Sequence, residues 1–500
     1  MIEITTSSLA KVLNGKLIGP EKPLKGIFTF LNHAKPGDFV IRHWIDDKGV
    51  EIANKKGVSC IITQNPQEKA IEIAQKLEIP IIITPKIEIA NAFALKWAVK
   101  NFAKDSLRVV VTGTNGKSTT THMIYSILTE AGYNTYTNTD AQSEFNTLID
   151  PVVANQLAEF EYVSGEKIQA LVIEVSEVQG WLDKLMKDHA HLMTAAVDPN
   201  VLVITNVGLD HIGLVNSIEE TFNEIYRSLE AISSKNESGK SHDNGTNNVY
   251  AVLNSDDQLL IEMGDLISKD KSVNVSFYGS SVNESLSQDV TLKTDGIYIN
   301  EKIFLKMEEL PFKSKHFIQN TMAAIGATLA LNIDFEIIKH AVSSYKPLER
   351  RFTVLGTDPL IIDDFAHNPD GIIATIKSAA KMCKGVLYIV FAIRGSRGEA
   401  INRLNAEALV NGLEDVDYNL IVTSSAEAVD NLNTVKLVEK NIVLNTLTEH
   451  GFDYVFQENL YPALNYCIGS AGKIDTILLI GAQGMDPASK VLKKIVKDTN

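Results

Sequence analysis

Three observations predict an α/β protein built on parallel sheets. Short apolar runs alternate with segments of helical periodicity along most of the chain. One of those runs ends in a glycine-rich, lysine-bearing turn that opens directly into a helical segment. The length of 500 residues, at about 150 per domain, accommodates roughly three such units.

Taken in order, the first clear strand is Arg108 to Thr112. Beyond it Met123, Ile124, Ile127, Leu128 and Ala131 recur at helical spacing, so one face of that segment packs on the sheet. Ala170 to Glu174 and Val201 to Asn206 read as the next buried strands. The polar stretch Ser233 to Asn248, SSKNESGKSHDNGTNN, is too poor in apolar residues to join a core and reads as an exposed loop. Val386 to Ile393, Tyr418 to Thr423 and Thr476 to Gly481 supply further strands. Boundaries fall near Lys104 and at Tyr345 to Glu349, where the proline of YKPLE interrupts helical periodicity. The expected domains are therefore 1–104, a central P-loop domain at 105–347 and a C-terminal doubly wound domain at 348–500.

Composition narrows the function classes. With 45% hydrophobic and 22% charged residues the chain is no fibre, disordered scaffold or disulfide-stapled mini-protein. A net charge of −15 argues against a nucleic-acid coat or a basic membrane surface, while leaving room for a local phosphate pocket. Cys60, Cys383 and Cys467 are scattered through apolar stretches and read as small buried hydrophobes, and no C-x-x-C pair is available for zinc. The N-terminus lacks a basic region followed by an apolar one, and no apolar run approaches about 18 residues, so a cytoplasmic protein is expected.

The chemistry concentrates in RVVVTGTNGKSTTTHMIYSILTEAG, Arg108 to Gly132. Gly113, Thr114, Asn115, Gly116, Lys117, Ser118 and Thr119 join strand to helix. The glycines let backbone N–H groups turn toward an anion, the helix start adds about half a positive charge, Lys117 adds a full one, and Ser118 is a magnesium ligand. The spacing is shorter than G-x-x-x-x-G-K-[ST], because position 111 is Val111. A glycine turn that merely caps a helix is the alternative, and the strand–helix context with the Lys-Ser pair favours a nucleotide triphosphate.

Two further strand ends carry polar groups. Glu174 closes a buried strand with Ser176 two residues on, and a carboxylate there needs a cation opposite it. Thr205 and Asn206 close another and lead to Asp210 and His211. The C-terminal ends of parallel strands meet at the ligand crevice. One hard cation would take Ser118 and the phosphates, and a second would take Glu174 and His211.

On these residues the chain resembles the Mur ligases, the ATP-dependent amide-forming family that includes the UDP-muramoyl-peptide ligases and the folylpolyglutamate synthetases. GTNGKS is that family's variant of the phosphate loop, Glu174 with Ser176 and TN followed by Asp210–His211 match its central-domain elements, and AVLNSDDQLL around Asn254 and Asp257 resembles another landmark. The resemblance implies that Asn320 of HFIQNTMAAIGATLAL contacts adenine. It places Arg351 of LERRFTVL on the nucleotide, Asp364 of IIDDFAHNPDG on the ribose side, and His367 beside the incoming substrate. FAIRGSRGEAINR resembles the glycine-rich segment with its arginine at Arg397. The implied reaction is activation of a carboxylate by ATP and Mg2+, with Lys117, Glu174, His211, Arg227 and His367 as catalytic residues, followed by attack of an amino acid. The implied acceptor is a UDP-linked peptide precursor, and the implied assembly is a monomer.

Departures narrow the branch. Family members usually carry a carbamoylated lysine 14 to 16 positions after the Asp-His pair, yet Asp210 to Ser234 contains no lysine, and Tyr226 or Arg227 stands there. Either the second cation is held by Glu174, His211 and water alone, or Arg227 supplies positive charge directly in place of part of the metal's role, and the second is the expectation. The D-N-P-R signature of diaminopimelate-adding members is replaced by SSAEAVD, Ser424 to Asp430, and the N-terminal Asp-Ser-Arg triplet by FTFLNHAKPGD. Archaeal pseudomurein peptide ligases fit that pattern. Cyanophycin- or polyglutamate-type ligases, or a nucleotide switch without catalysis, are the alternatives.

Overall fold

The computed structural model describes residues 4–139, 151–181, 184–210, 214–215, 217–233, 249–280, 288–311 and 314–499. His211 and the polar stretch that follows Ser233 lie outside them. The chain forms two compact units. The first runs to Tyr345 without Ser314–Phe317; the second starts at Lys346 and takes in Ser314–Phe317.

The first unit opens with β1 (Lys16–Ile18), β2 (Phe28–Thr29), β3 (Phe39–Ile45), β4 (Cys60–Pro66) and β5 (Ile81–Ile83), in the order β1-β5-β4-β3-β2. All neighbours are parallel except the edge strand β1. Helix α1 (Ile87–Phe102) packs on this sheet through Trp97, whose ring meets Phe28, Phe39 and Phe102 edge-on with centroids 5.3, 6.4 and 5.7 Å apart.

The larger sheet of the unit contains β6 (Leu107–Thr112), followed by α2 (Lys117–Glu130), β7 (Thr135–Thr137) and β8 (Ala170–Glu174). Then come α3 (His189–Val197), β9 (Val201–Ile204), α4 (Ile218–Ser233), β10 (Val249–Asn254) and β11 (Val273–Ser280). An antiparallel extension, β12 (Val290–Lys293), β13 (Gly296–Ile299) and β14 (Lys302–Lys306), precedes α5 (Lys315–Ala330) and α6 (Phe335–Ser343). The order is β14-β13-β12-β11-β10-β9-β6-β8-β7, parallel from β7 to β12. VVV, LVI and VLVI at its centre are wholly buried, as strands covered on both faces require. Register aligns the strand ends: Glu174 pairs with Val111 and Ile204 with Thr112, so three strands finish together at the phosphate loop.

The second unit has β15 (Thr353–Thr357), β16 (Leu360–Asp364), α7 (Pro369–Met382), β17 (Leu387–Ala392), α8 (Glu399–Leu413) and β18 (Tyr418–Thr423). It continues with α9 (Leu437–Glu449), β19 (Tyr454–Gln457) and β20 (Thr476–Ile480). The order β15-β16-β20-β17-β18-β19 is a doubly wound sheet, parallel apart from β15. Separate apolar clusters occupy its two faces, one around Phe391, Leu409 and Val443 and the other around Val390, Leu464 and Leu479. All six strands expected from the sequence are present, with ends shifted by at most two residues.

Candidate functional site

Backbone geometry explains the glycines of the phosphate loop. Gly113 and Gly116 have φ of +117° and +85°, a left-handed range that L side chains avoid. A Cβ on Gly113 would lie 2.4 Å from Thr205 Oγ1, and one on Gly116 would lie 2.2 Å from Asn320 Oδ1. Asn320 therefore packs directly against the turn that starts α2.

The end of β9 holds the loop between these glycines. Asn206 Oδ1 accepts from Asn115 N at 2.9 Å, while Thr205 Oγ1 and Asn206 Nδ2 donate to Asn115 O at 2.6 and 2.9 Å. Gly208 N donates to Thr114 Oγ1 at 2.8 Å. Asp257 accepts from Val207 N at 2.8 Å and Asn254 Nδ2 donates to Thr205 O at 3.3 Å, so the Asn254–Asp257 landmark braces the strand end that braces the loop.

Charged groups line the opposite side. Lys117 Nζ donates to Gly113 O at 2.7 Å, Thr114 O at 2.9 Å and Glu177 Oε2 at 2.8 Å. Burial acts to lower the Lys117 pKa, and the charges of Glu177 and Glu174 more than offset it, so the ammonium is held above its ordinary range and stays charged. Ser118 Oγ donates to Glu174 Oε1 at 3.0 Å, and Thr139 Oγ1 donates to Glu174 Oε2 at 2.8 Å. Asn138 fixes the Glu174 backbone from both sides, accepting its N–H at 2.8 Å and donating to its carbonyl at 3.0 Å. Thr119 is buried in the first turn of α2.

Ser118 and Glu174 are hard oxygen donors beside a phosphate-binding turn, the donor chemistry magnesium takes. Among the described residues no three His, Cys, Asp or Glu side chains are grouped to hold a metal by themselves. A sparse protein set suits an ion that completes its shell with phosphates and water.

Arg227 is not drawn into this wall. It sits nine residues along α4, about 14 Å by helical rise from the helix start. Its ion pairs are with Asp188 at 2.8 Å and Glu230 at 3.9 Å, and its carbonyl bonds His191 Nδ1 at 2.9 Å. The helical face that carries it packs on α3, which is why the charge expected at the site is directed elsewhere. Sequence reasoning missed Glu177, which is fully buried. Its signal was available: a second carboxylate three residues after Glu174, directly beyond a strand that is wholly buried.

In the second unit the foreseen residues gather around Phe365. The Arg351 guanidinium lies 4.5 Å over its ring, and His367 meets the ring edge-on at 5.1 Å with Nδ1 2.8 Å from Phe365 O. Asp364 accepts from Phe352 N at 2.7 Å, Ala366 N at 2.9 Å and Thr375 Oγ1 at 3.0 Å, which holds its carboxylate at the end of β16. Neighbouring Arg350 is the structural arginine, buried among Asp363, Asp486 and the carbonyls of Gly481 and Ala482. Burial pushes the Asp363 carboxyl up to about 6, against the pull of Arg350. Beyond β17, buried Glu439 accepts four backbone N–H groups, from Ser396, Arg397, Gly398 and Lys436 at 3.0, 2.8, 2.6 and 2.8 Å, and so shapes the loop that presents Arg397.

Comparison with known proteins gives two family-model matches, the Mur ligase middle domain over residues 111–328 and the Mur ligase glutamate ligase domain over residues 350–483. The UDP-N-acetylmuramate–L-alanine ligase of Syntrophomonas wolfei is 25% identical over 462 residues, covering 88% of this chain and 86% of the relative. Among solved structures, MurF from Acinetobacter baumannii superposes with a TM-score of 0.67 at 17% identity, covering 99% of both chains. A pseudomurein peptide ligase type C from Methanothermus fervidus superposes with a TM-score of 0.59 at 18% identity, covering 92% of this chain and 95% of that one.

Proposed function

This chain belongs to the Mur ligase family, and from that premise we propose that its phosphate loop, braced by β9 and charged by Lys117, holds ATP while a precursor carboxylate is activated. The protein is an ATP-dependent, ADP-forming ligase that joins an amino acid to a UDP-activated cell-wall peptide precursor. The observation that carries the site assignment is that Lys117 bonds Glu177 and its neighbour Ser118 bonds Glu174 at the start of one helix.

The chemistry asks for alignment and charge neutralisation more than for covalent participation. A carboxylate oxygen of the precursor attacks the γ-phosphorus, an acyl phosphate forms and ADP leaves. The amine of the amino acid then attacks the acyl carbon, the C–N bond forms, the C–O bond to phosphate breaks and the amine loses a proton. Gly113 to Thr119 orient the polyphosphate and Lys117 balances its charge. The sequence puts Ser118 and Glu174 on two separate cations; their direct hydrogen bond favours one magnesium that both would hold, with His211 as a further ligand. When bound, that ion neutralises phosphate charge. Asn320 is assigned to adenine, Arg351 and Asp364 to the nucleotide, and His367 to the incoming substrate.

The five-, nine- and six-stranded sheets fall within residues 1–104, 105–347 and 348–500 respectively, which supports a division at residues 104 and 347. At the C-terminal ends of β3 and β4, where parallel sheets take ligands, Arg42 lies 5.4 Å over the Trp44 ring, and His43 Nδ1 lies 3.3 Å from Asn65 Nδ2. We assign the nucleotide end of the precursor to this edge. Among the described residues no helix is long and apolar enough to cross a membrane.

A phosphate-release screen with ATP and Mg2+, crossing the amino acids against UDP-linked glutamyl and muramoyl peptides with mass spectrometry of positives, tests the reading. A UDP-glutamyl product heavier by one residue establishes the pseudomurein branch, which the altered D-N-P-R and Asp-Ser-Arg segments favour. A muramoyl product establishes the peptidoglycan branch. ATP hydrolysis that needs neither substrate would replace both with a nucleotide switch.

A further inference from the structure

We infer that Glu177 makes nucleotide binding depend on a divalent cation, by neutralising the lysine that would otherwise attract a bare polyphosphate. The inference rests on the ATP-ligase reading and goes beyond it in assigning metal dependence to one side chain.

A lysine ammonium has three N–H donors, and all three of Lys117 are engaged, by Gly113 O, Thr114 O and Glu177 Oε2. An entering phosphate oxygen must therefore displace one of them. The two carbonyls are neutral and belong to a backbone pinned by Thr205 and Asn206. The carboxylate is different: it is wholly buried beside a lysine side chain only 13% exposed, where charges act with little solvent screening. Whichever acceptor is displaced, the negative charge of Glu177 stays within contact range of Nζ and offsets the attraction Lys117 offers a phosphate.

Glu174 and Asp210 also act on Lys117, and both are buried. A bare polyphosphate would thus face one ammonium and three carboxylates. The same polyphosphate carrying a divalent cation brings its own compensation. Glu174 is matched to that cation through Ser118, whereas Glu177 sets its charge against the phosphate-binding lysine itself. It is therefore the carboxylate whose removal should free nucleotide binding from the metal. Glu177→Gln keeps an oxygen able to accept from Nζ while removing the charge.

The test measures ADP binding by titration calorimetry, with millimolar Mg2+ and with EDTA, on the full chain. Metal removal is expected to weaken ADP binding to the unmodified protein by at least about tenfold, the scale of ordinary site-to-site coupling. In E177Q the ratio should shrink to about threefold or less because metal-free affinity rises. An unchanged ratio in E177Q, or an equal loss of affinity under both conditions, overturns the inference and leaves Glu177 a structural partner of the loop. If E177Q gives no cooperative melt, Glu177→Ser is read by the same ratio. No ADP binding by the unmodified protein even with Mg2+ would overturn the ATP reading itself, an outcome distinct from a ratio that does not move.

Discussion

Ser118 Oγ donates to Glu174 Oε1 across 3.0 Å, joining the first turn of α2 to the last residue of β8. The two residues are 56 apart in sequence, and strand register brings them together by pairing Glu174 with Val111. A hydroxyl and a carboxylate held this close beside a phosphate loop are poised to share one cation.

Glu174→Gln should lower kcat by about 10²–10³, the usual loss when one preorganised electrostatic group is removed. Ser118→Ala should cost less, because Thr139 still holds the other Glu174 oxygen. Steady-state kinetics over a magnesium titration checks this. If E174Q showed full kcat at low magnesium, Glu174 would have no part in holding the ion.

The glycines offer a contrast within one helix. Gly116 and Gly132 flank α2 with nearly equal φ, +85° and +86°. A Cβ on Gly132 meets nothing within 4 Å, whereas one on Gly116 strikes Asn320. Gly132→Ala should cost about 1–2 kcal/mol from backbone strain alone and leave ADP affinity unchanged. Gly116→Ala should add displacement of Asn320, the residue proposed for adenine, and weaken ADP binding by about tenfold or more, as loss of precise positioning does. Thermal melts and ADP titrations of the pair separate strain from site damage.

The parts of the molecule legible in the sequence are those whose signal is local. Gly113 to Ser118 is a contiguous motif whose chemistry can be read without a fold, and the buried strands announce themselves as apolar runs. Glu177 could not be assigned a partner in that way, because nothing near it in sequence is the cation it meets. Arg227, which the structure pairs with Asp188 and Glu230, was hard to place for the converse reason. Counting from Asp210 measures distance along the chain, while the face of α4 that carries Arg227 is set by packing on α3. Within the expected N-terminal α/β unit the single strands are not legible, because Lys16–Ile18 and Ile81–Ile83 are too short for periodicity to mark and Phe39–Ile45 and Cys60–Pro66 turn polar in their second halves.

Arg227→Ala should leave ligation within about twofold of the unmodified rate and cost less than about 1 kcal/mol, since both members of its Asp188 pair reach solvent and such pairs contribute little. Kinetics and a denaturant melt check it. A loss of kcat of tenfold or more would restore Arg227 to the catalytic set.

Stability should also respond to pH through the anchoring of the phosphate-loop helix. His122 lies five residues after Lys117 on α2, and its Nδ1 is 2.8 Å from the hydroxyl of Tyr345, the residue at which the first unit ends. Burial lowers the His122 pKa to about 4, so the folded protein keeps the ring neutral where an unfolded chain, titrating near 6.5, binds a proton. The unfolded state then holds more protons between about pH 4 and 6.5, and stability must fall as pH drops through that window. The effect of this one ring should total about 2–3 kcal/mol by about pH 4. His122→Asn, which cannot take up the proton, should flatten the dependence. Tyr345→Phe should lower stability at about pH 7 by about 1 kcal/mol through the lost hydrogen bond while leaving the slope in place. Denaturant melts of the three proteins at about pH 7, 6 and 5 decide it: parallel slopes in the unmodified protein and H122N would mean that the ring takes up its proton as readily in the folded as in the unfolded chain, and that burial does not hold it neutral.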